Sequence, residues 1–431
     1  MKKIFFYILI SVFFNSNILA ENLTEALLKA YNKNPKLNAE RENLNISKEN
    51  INISKSDFLP SLTLSGTKSK EDTSKLTNQD GSEASIADVD PLTKSLLVEQ
   101  TLYDGKSRRA DLKKNKLGLS IAEIKLLKVE QEILYQAIEA YTGLVFANKK
   151  YSINQSNVDL LKRQVANDQS RLERGQITIA DLAQSESSLA GAIAKFIEAK
   201  NEVITGKIVY ENVIGFIDNV DELSVELDFN LKLPKNLIEA NEISKKNSPE
   251  LIIAKLEFQQ SEYDIQIAKA DLGPSATLSF ETSQVEDLSA TYDERDKSVL
   301  KATVKWPIYT GGKNRATLNK NKNLNNKKRL LLEDVITSNK TKVASAWSSF
   351  QSSMSMLDSV KSQVKAAEIA SEGIAAEYES GSRSTLDVIQ SNTLLLDSKI
   401  SLANSERNYL LSQFKLLQSI GLLNTKYLQI K

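Results

Sequence analysis

The 431-residue chain contains no cysteine and no histidine. Without cysteine there is no disulfide and no thiolate nucleophile. Without histidine the commonest general base and the commonest transition-metal ligand are both missing. Most hydrolase, redox and zinc mechanisms fall away. A carboxylate-only enzyme remains conceivable, yet no stretch places two acids in a shared cleft, so no catalytic residue, metal or cofactor is expected. Lysine plus arginine number 56 against 55 for aspartate plus glutamate. No basic field exists to draw phosphate backbones, and nucleic acid is not an expected partner. Only 15 glycines and 7 prolines interrupt the chain, which favours long helices over many short elements. Hydrophobic residues make up 41%, a share suited to helices packed only on neighbouring helices.

Residues 1–20 read as a secretory signal. Lys2 and Lys3 form its positive end, Ile4 to Phe14 its apolar run, and Ala20 a cleavage position. After it, no stretch approaches the roughly 20 apolar residues of a transmembrane helix. An exported chain of this kind can cross a membrane only as β-structure.

What is present is a duplication. RLERGQITIADLAQSESSL from Arg171 recurs as EYESGSRSTLDVIQSNTLL from Glu377, with Gly175, Asp181, Gln184 and Ser185 answered by Gly381, Asp387, Gln390 and Ser391 at a constant shift of 206. INISKSDFLPSLTLS from Ile51 likewise answers IQIAKADLGPSATLS from Ile265, with nine of fifteen positions identical. The first repeat spans 21–235, with strands at about 61–75 and 92–104 and long helices at about 107–174 and 179–213. The second spans 236–431, with strands at about 275–286 and 298–309 and helices at about 312–379 and 384–420. Acidic loops are expected between the strands of each pair, from Lys68 to Asp90 and from Gln284 to Asp296. Helices of this length are rods on the order of 100 Å.

Four alternating strands cannot close a membrane barrel, because the smallest have about 8. Open edges cannot face lipid. The strands must therefore close with copies of themselves, and two, three or four chains all satisfy that count. The competing reading, a periplasmic coiled-coil adaptor or structural rod, accounts for the helices but not for the strands.

The duplicated order of N-P helix, L-P strand entry, polar loop, strand ending in LYDG (102–105) or PIYTGG (307–312), rod and glycine tip resembles the TolC family of outer-membrane efflux ducts. The sharpest motifs are WPIYTGGKNRA from Trp306 and EYESGSRSTLDVIQ from Glu377, and the likeness covers about Glu21 to Leu423. It implies an α+β membrane protein: a homotrimer with a twelve-stranded outer-membrane barrel and a long periplasmic α-helical barrel. A mixed belt would fall at the Gly215–Ser248 connector and the C-terminal end. It implies a passive duct for efflux or type I protein secretion, working with a periplasmic adaptor and an inner-membrane transporter. Which cargo it takes is not legible, because such a duct draws its specificity from its partners.

The resemblance also assigns roles to the tips. Asp387 matches a pore acid, which threefold symmetry would make a ring of three carboxylates. Gln390 stands where the family usually has a second acid, so the constriction is expected to be less negative. Tyr378 and Arg383 match gate-latch residues, with Asp181 as the acid for Tyr378. Ala180 occupies the usual acceptor position for Arg383, so a looser latch is expected. Adaptor docking falls on Arg174, Gly175, Gln176, Ser380, Gly381 and Ser382. Trp306 and Tyr309 are either interfacial aromatic anchors or packing under the belt.

Overall fold

The computed structural model describes residues 22–84, 88–224, 231–289 and 292–430. The expected signal at 1–20 lies outside them. Eight α-helices and four strands occur among the described residues, in the order α1 (Leu23–Lys33), α2 (Pro35–Ser56), β1 (Ser61–Lys68), β2 (Leu92–Tyr103), α3 (Ser107–Glu173), α4 (Ile179–Val213), α5 (Leu237–Asn247), α6 (Pro249–Ala270), β3 (Ser275–Ser289), β4 (Tyr292–Lys305), α7 (Lys313–Glu379) and α8 (Thr385–Ser419). The duplication carries through to element lengths: α3 and α7 each have 67 residues, and α4 and α8 each have 35. No proline interrupts any of the four, and their glycines sit where helix-compatible backbone continues. No helix among the described residues is long and apolar enough to cross a membrane.

The chain forms two compact units that do not coincide with the repeats. One comprises Met1–Asn38, Glu130–Ser244 and Lys342–Lys431, and the other Ala39–Val129 and Lys245–Thr341. Each unit therefore takes segments from both repeats.

In the first unit, Leu27 and Ala30 of α1, Leu134, Ile138 and Tyr141 of α3, and Phe414 and Leu417 of α8 are fully buried. Each of the buried leucine, isoleucine and phenylalanine side chains contributes roughly 1.5–3 kcal/mol by leaving water. The connector after α4 joins this core through Ile214 and Ile217, and the C-terminal end through Leu423. Polar ties fix the C-terminal end: Gln131 Nε2 donates to the Gly421 carbonyl at 3.0 Å, and Glu130 Oε1 accepts from the Thr425 N–H and hydroxyl at 2.8 and 2.9 Å. The connector carries a helical turn at Val220–Glu222 and then α5.

The second unit is built on one antiparallel sheet of order β1-β2-β3-β4. Register places Leu62, Val98, Phe280 and Leu300 side by side, and Leu64 beside Leu96 on the same face. Leu62, Leu64, Leu300 and Val304 are 68–79% exposed, a contiguous apolar surface that water would not tolerate and lipid does. Neither β1 nor β4 has a second partner strand. Four strands with two open edges cannot close a barrel alone, so closure requires further copies of the chain.

The strand ends differ from the pattern-based reading in two places. β1 stops at Lys68 rather than near 75, and only the isolated bridges Glu71↔Val89 and Thr77↔Glu83 extend the pairing. β4 runs Tyr292–Lys305, earlier than 298–309. The acidic stretch taken for a loop is mostly ladder, with Gln284 opposite Asp296 and Glu286 opposite Glu294. Its polar side chains stay in water while the backbone is paired, so composition gave no strand signal. Pro307 ends β4 because it has no N–H for the ladder.

Candidate functional site

Both helical tips are built the same way. At the end of α3 the Gly175 N–H donates to the Leu172 carbonyl at 2.8 Å and the Gln176 N–H to the Arg171 carbonyl at 2.9 Å. At the end of α7 the Gly381 N–H donates to the Tyr378 carbonyl at 3.0 Å and the Ser382 N–H to the Glu377 carbonyl at 2.9 Å. These bonds close the orphan carbonyls of each helix end, with both glycines at positive φ. Three residues on, a capping box starts the next helix. Asp181 accepts from the Thr178 N–H and hydroxyl at 2.9 and 2.7 Å, and Asp387 accepts from the Ser384 N–H and hydroxyl at 3.0 and 2.8 Å. The serine and threonine donors hold both carboxyls below the usual carboxylate range, so both remain charged through neutral pH. Asp387 and Gln390 line one groove with Ala367, Ile374 and Leu394.

The two tips meet at Asp168. This α3 carboxylate is fully buried. Oδ1 accepts from the Tyr378 hydroxyl, Oδ2 accepts from the Ser185 hydroxyl at 2.5 Å, and the Gln164 amide donates to both oxygens at 3.0 and 3.1 Å. The Arg171 guanidinium lies 4.3 Å from the centroid of the Tyr378 ring and donates to the Tyr378 carbonyl at 3.3 Å. Burial first, and the bond to Asp168 second, push the Tyr378 hydroxyl above its usual pKa and keep it a donor. One tyrosine of the second tip is thus held by an acid, a cation and, through Thr385 at 3.3 Å, the start of α8.

Within one chain, Asp181 and Tyr378 have different partners. The Asp181 carboxylate is folded back on Thr178 as the third residue of α4, and the acid that Tyr378 meets is Asp168. Arg383 pairs within its own tip, with Glu377 at 2.6 Å. Asp168, Arg171 and Glu377 were not picked out by sequence. Arg174, Gly175, Gln176, Ser380, Gly381 and Ser382 are all exposed at the turns. Trp306 is 64% exposed, with its indole N–H on the Leu272 carbonyl at 3.2 Å, and Tyr309 is 86% exposed.

The sequence pattern of the family described as outer membrane efflux protein matches residues 26–208 and 242–422. The chain belongs to the outer membrane efflux protein family. It is 26% identical over 405 residues to the outer membrane efflux protein BepC of Brucella suis biovar 1, covering 94% of this chain and 86% of that one. It is 24% identical over 424 residues to the outer membrane protein TolC of Escherichia coli K12, covering 95% and 84%. The crystal structure of VceC from Vibrio cholerae superposes with a TM-score of 0.78 at 16% identity, covering 93% of this chain and 96% of that one. As an outer membrane efflux protein, the chain is a channel of the outer membrane with a long periplasmic portion, and the family is one of transport channels. The adaptor-or-rod alternative is set aside by this membership.

Proposed function

We propose that this outer membrane efflux protein works as a homotrimeric, passive exit duct closed at its helical tips. Cargo, either small molecules or a secreted protein, is handed over by an inner-membrane transporter through a periplasmic adaptor. The exposed turns 174–176 and 380–382 are the adaptor's footing, and outer-membrane lipid surrounds the barrel. The observation that supports this reading is the buried Tyr378–Asp168 bond, which ties one tip to the other. Arg171 stacked on the same ring adds on the order of 1 kcal/mol or more. Three Asp387 carboxylates, one per chain, then form a ring that attracts cations, and Gln390 beside each adds hydrogen bonding without charge.

Single-channel recording of the purified trimer in planar bilayers tests this. Small, cation-preferring conductance is expected, blocked by multivalent cations added on the tip side. Asp387→Ala is expected to abolish the block. Conductance blocked equally in both proteins would discard the carboxylate ring and keep the duct.

Ser384→Ala provides a finer check. The serine hydroxyl lowers the Asp387 pKa, although the backbone N–H at the same position does so more. Removing the hydroxyl raises that pKa, so on acidification the carboxylate is neutralised, and cation block lost, at a higher pH than in the wild type. Helix α8 should also lose about 1 kcal/mol of N-cap stabilisation. An unchanged pH profile of block would separate the cap from the ring.

A further inference from the structure

The sheet alternates residue by residue, and its apolar face meets lipid, so the opposite face lines the lumen. On β4 that lumen face carries Arg295, Lys297, Lys301 and Lys305, all exposed, with one acid, Asp293, at the strand start, while Glu294 and Asp296 fall on the other face. The cross-strand neighbours of the lysines are hydroxyls: Ser283 opposite Lys297, Ser279 opposite Lys301, and Ser275 opposite Lys305. None of the four bases has an ion-pair partner among the described residues. Among the paired residues of β1, β2 and β3, Glu99 and Glu281 place acid on the same face. β4 is an edge strand. On closure its neighbour is β1 of the next copy, whose lumen-side residues Ser61, Thr63 and Ser65 carry hydroxyls and no charge.

We propose that this basic stripe makes the barrel section of the duct anion-attracting and selects for cargo bearing carboxylate or phosphate groups. The inference rests on the duct reading above. Three copies of the stripe surround one lumen, four bases against three acids per chain, with Asp293 next to Arg295 and the three lysines facing a section that holds only Glu99 and Glu281. Walls of low dielectric focus that field. Lys297, Lys301 and Lys305 are spaced at about 13 Å along the strand, close to the screening length of about 8–10 Å at moderate salt, so an anion leaving one base enters the field of the next. Serine and threonine hydroxyls between them supply donors at the same level.

The test is the reversal potential in a potassium chloride gradient across planar bilayers, measured on the full-length trimer. An Asp387→Ala background lifts the charge at the tips, so that the barrel dominates. That parent is expected to prefer chloride. R295Q/K297Q/K301Q/K305Q in the same background should reverse the sign to potassium preference, because Glu99, Glu281 and Asp293 remain. K297R/K301R/K305R, which keeps charge and bulk, should preserve chloride preference. A glutamine variant with the parent's reversal potential would overturn the stripe and leave the duct standing, and so would loss of chloride preference in the arginine variant. Folded trimers with no conductance at all would overturn the duct reading and the stripe with it.

Discussion

Asp168→Ala is expected to hold the channel open: closed-state conductance should rise by one to two orders of magnitude over the wild type. The carboxylate is fully buried and accepts from Tyr378, Ser185 and Gln164. Removing it strands three donors, and a buried donor left unmade costs about 1–3 kcal/mol. A loss of roughly 3 kcal/mol from the closed state shifts a closed–open equilibrium by about a hundredfold. Tyr378→Phe should do less, about 1 kcal/mol, because Ser185 and Gln164 keep Asp168 satisfied. The double variant should be little worse than Asp168→Ala alone, giving a coupling energy of about 0.5–3 kcal/mol in the cycle. Planar-bilayer conductance of the four proteins measures it. Additive effects, or an unaltered closed state in Asp168→Ala, would remove the latch from the gate.

The second large effect lies where strand passes to helix. Gly105 and Gly311 are equivalents at the shift of 206, with φ of +66° and +62°. Any other L-residue in that conformation costs roughly 1–2 kcal/mol. Their surroundings differ. A Cβ on Gly105 would stand 3.0 Å from the Ala270 carbonyl oxygen and 3.1 Å from its Cα and Cβ, whereas a Cβ on Gly311 meets nothing within 4 Å. Backbone cannot rotate away as a side chain can, so Gly105→Ala adds an overpacking cost of about 1–3 kcal/mol. Gly311→Ala should lose about 1–2 kcal/mol and Gly105→Ala about twice that or more. Thermal melts of the detergent-solubilised proteins, followed by far-ultraviolet circular dichroism, would compare them. Equal losses would mean that the contact with Ala270 relaxes freely.

The rods were legible because breaker-free sequence between a glycine tip and a strand motif admits little else. The expected 107–174 and 312–379 became Ser107–Glu173 and Lys313–Glu379. The strands were legible where one face is apolar, and lost where both faces are polar, as at Glu286 opposite Glu294. The contacts between the tips were only half legible, for a reason the duplication itself supplies. Matching the repeats pairs Asp181 with Asp387, and both turn out to be capping acids. The residues that join the tips sit where the repeats disagree: Asp168 answers Ile374, Arg171 answers Glu377, and Leu172 answers Tyr378. A polar helix surface gives no sign that one of its acids will be enclosed by a neighbouring helix pair. The one available signal was the break in the repeat.

The sheet has a further consequence for how the chain is made. β2 and β3 pair Leu92 with Glu286 and Thr101 with Thr277, so the two hairpins cannot join until the second repeat has emerged. Closing so long a loop is slow, and slow closure leaves a hairpin with bare edges in the meantime. The first half therefore keeps an unpaired β2 edge until the second repeat is in place. A genetic split between the repeats should yield two fragments that are insoluble when made separately, since neither inherits a complete compact unit.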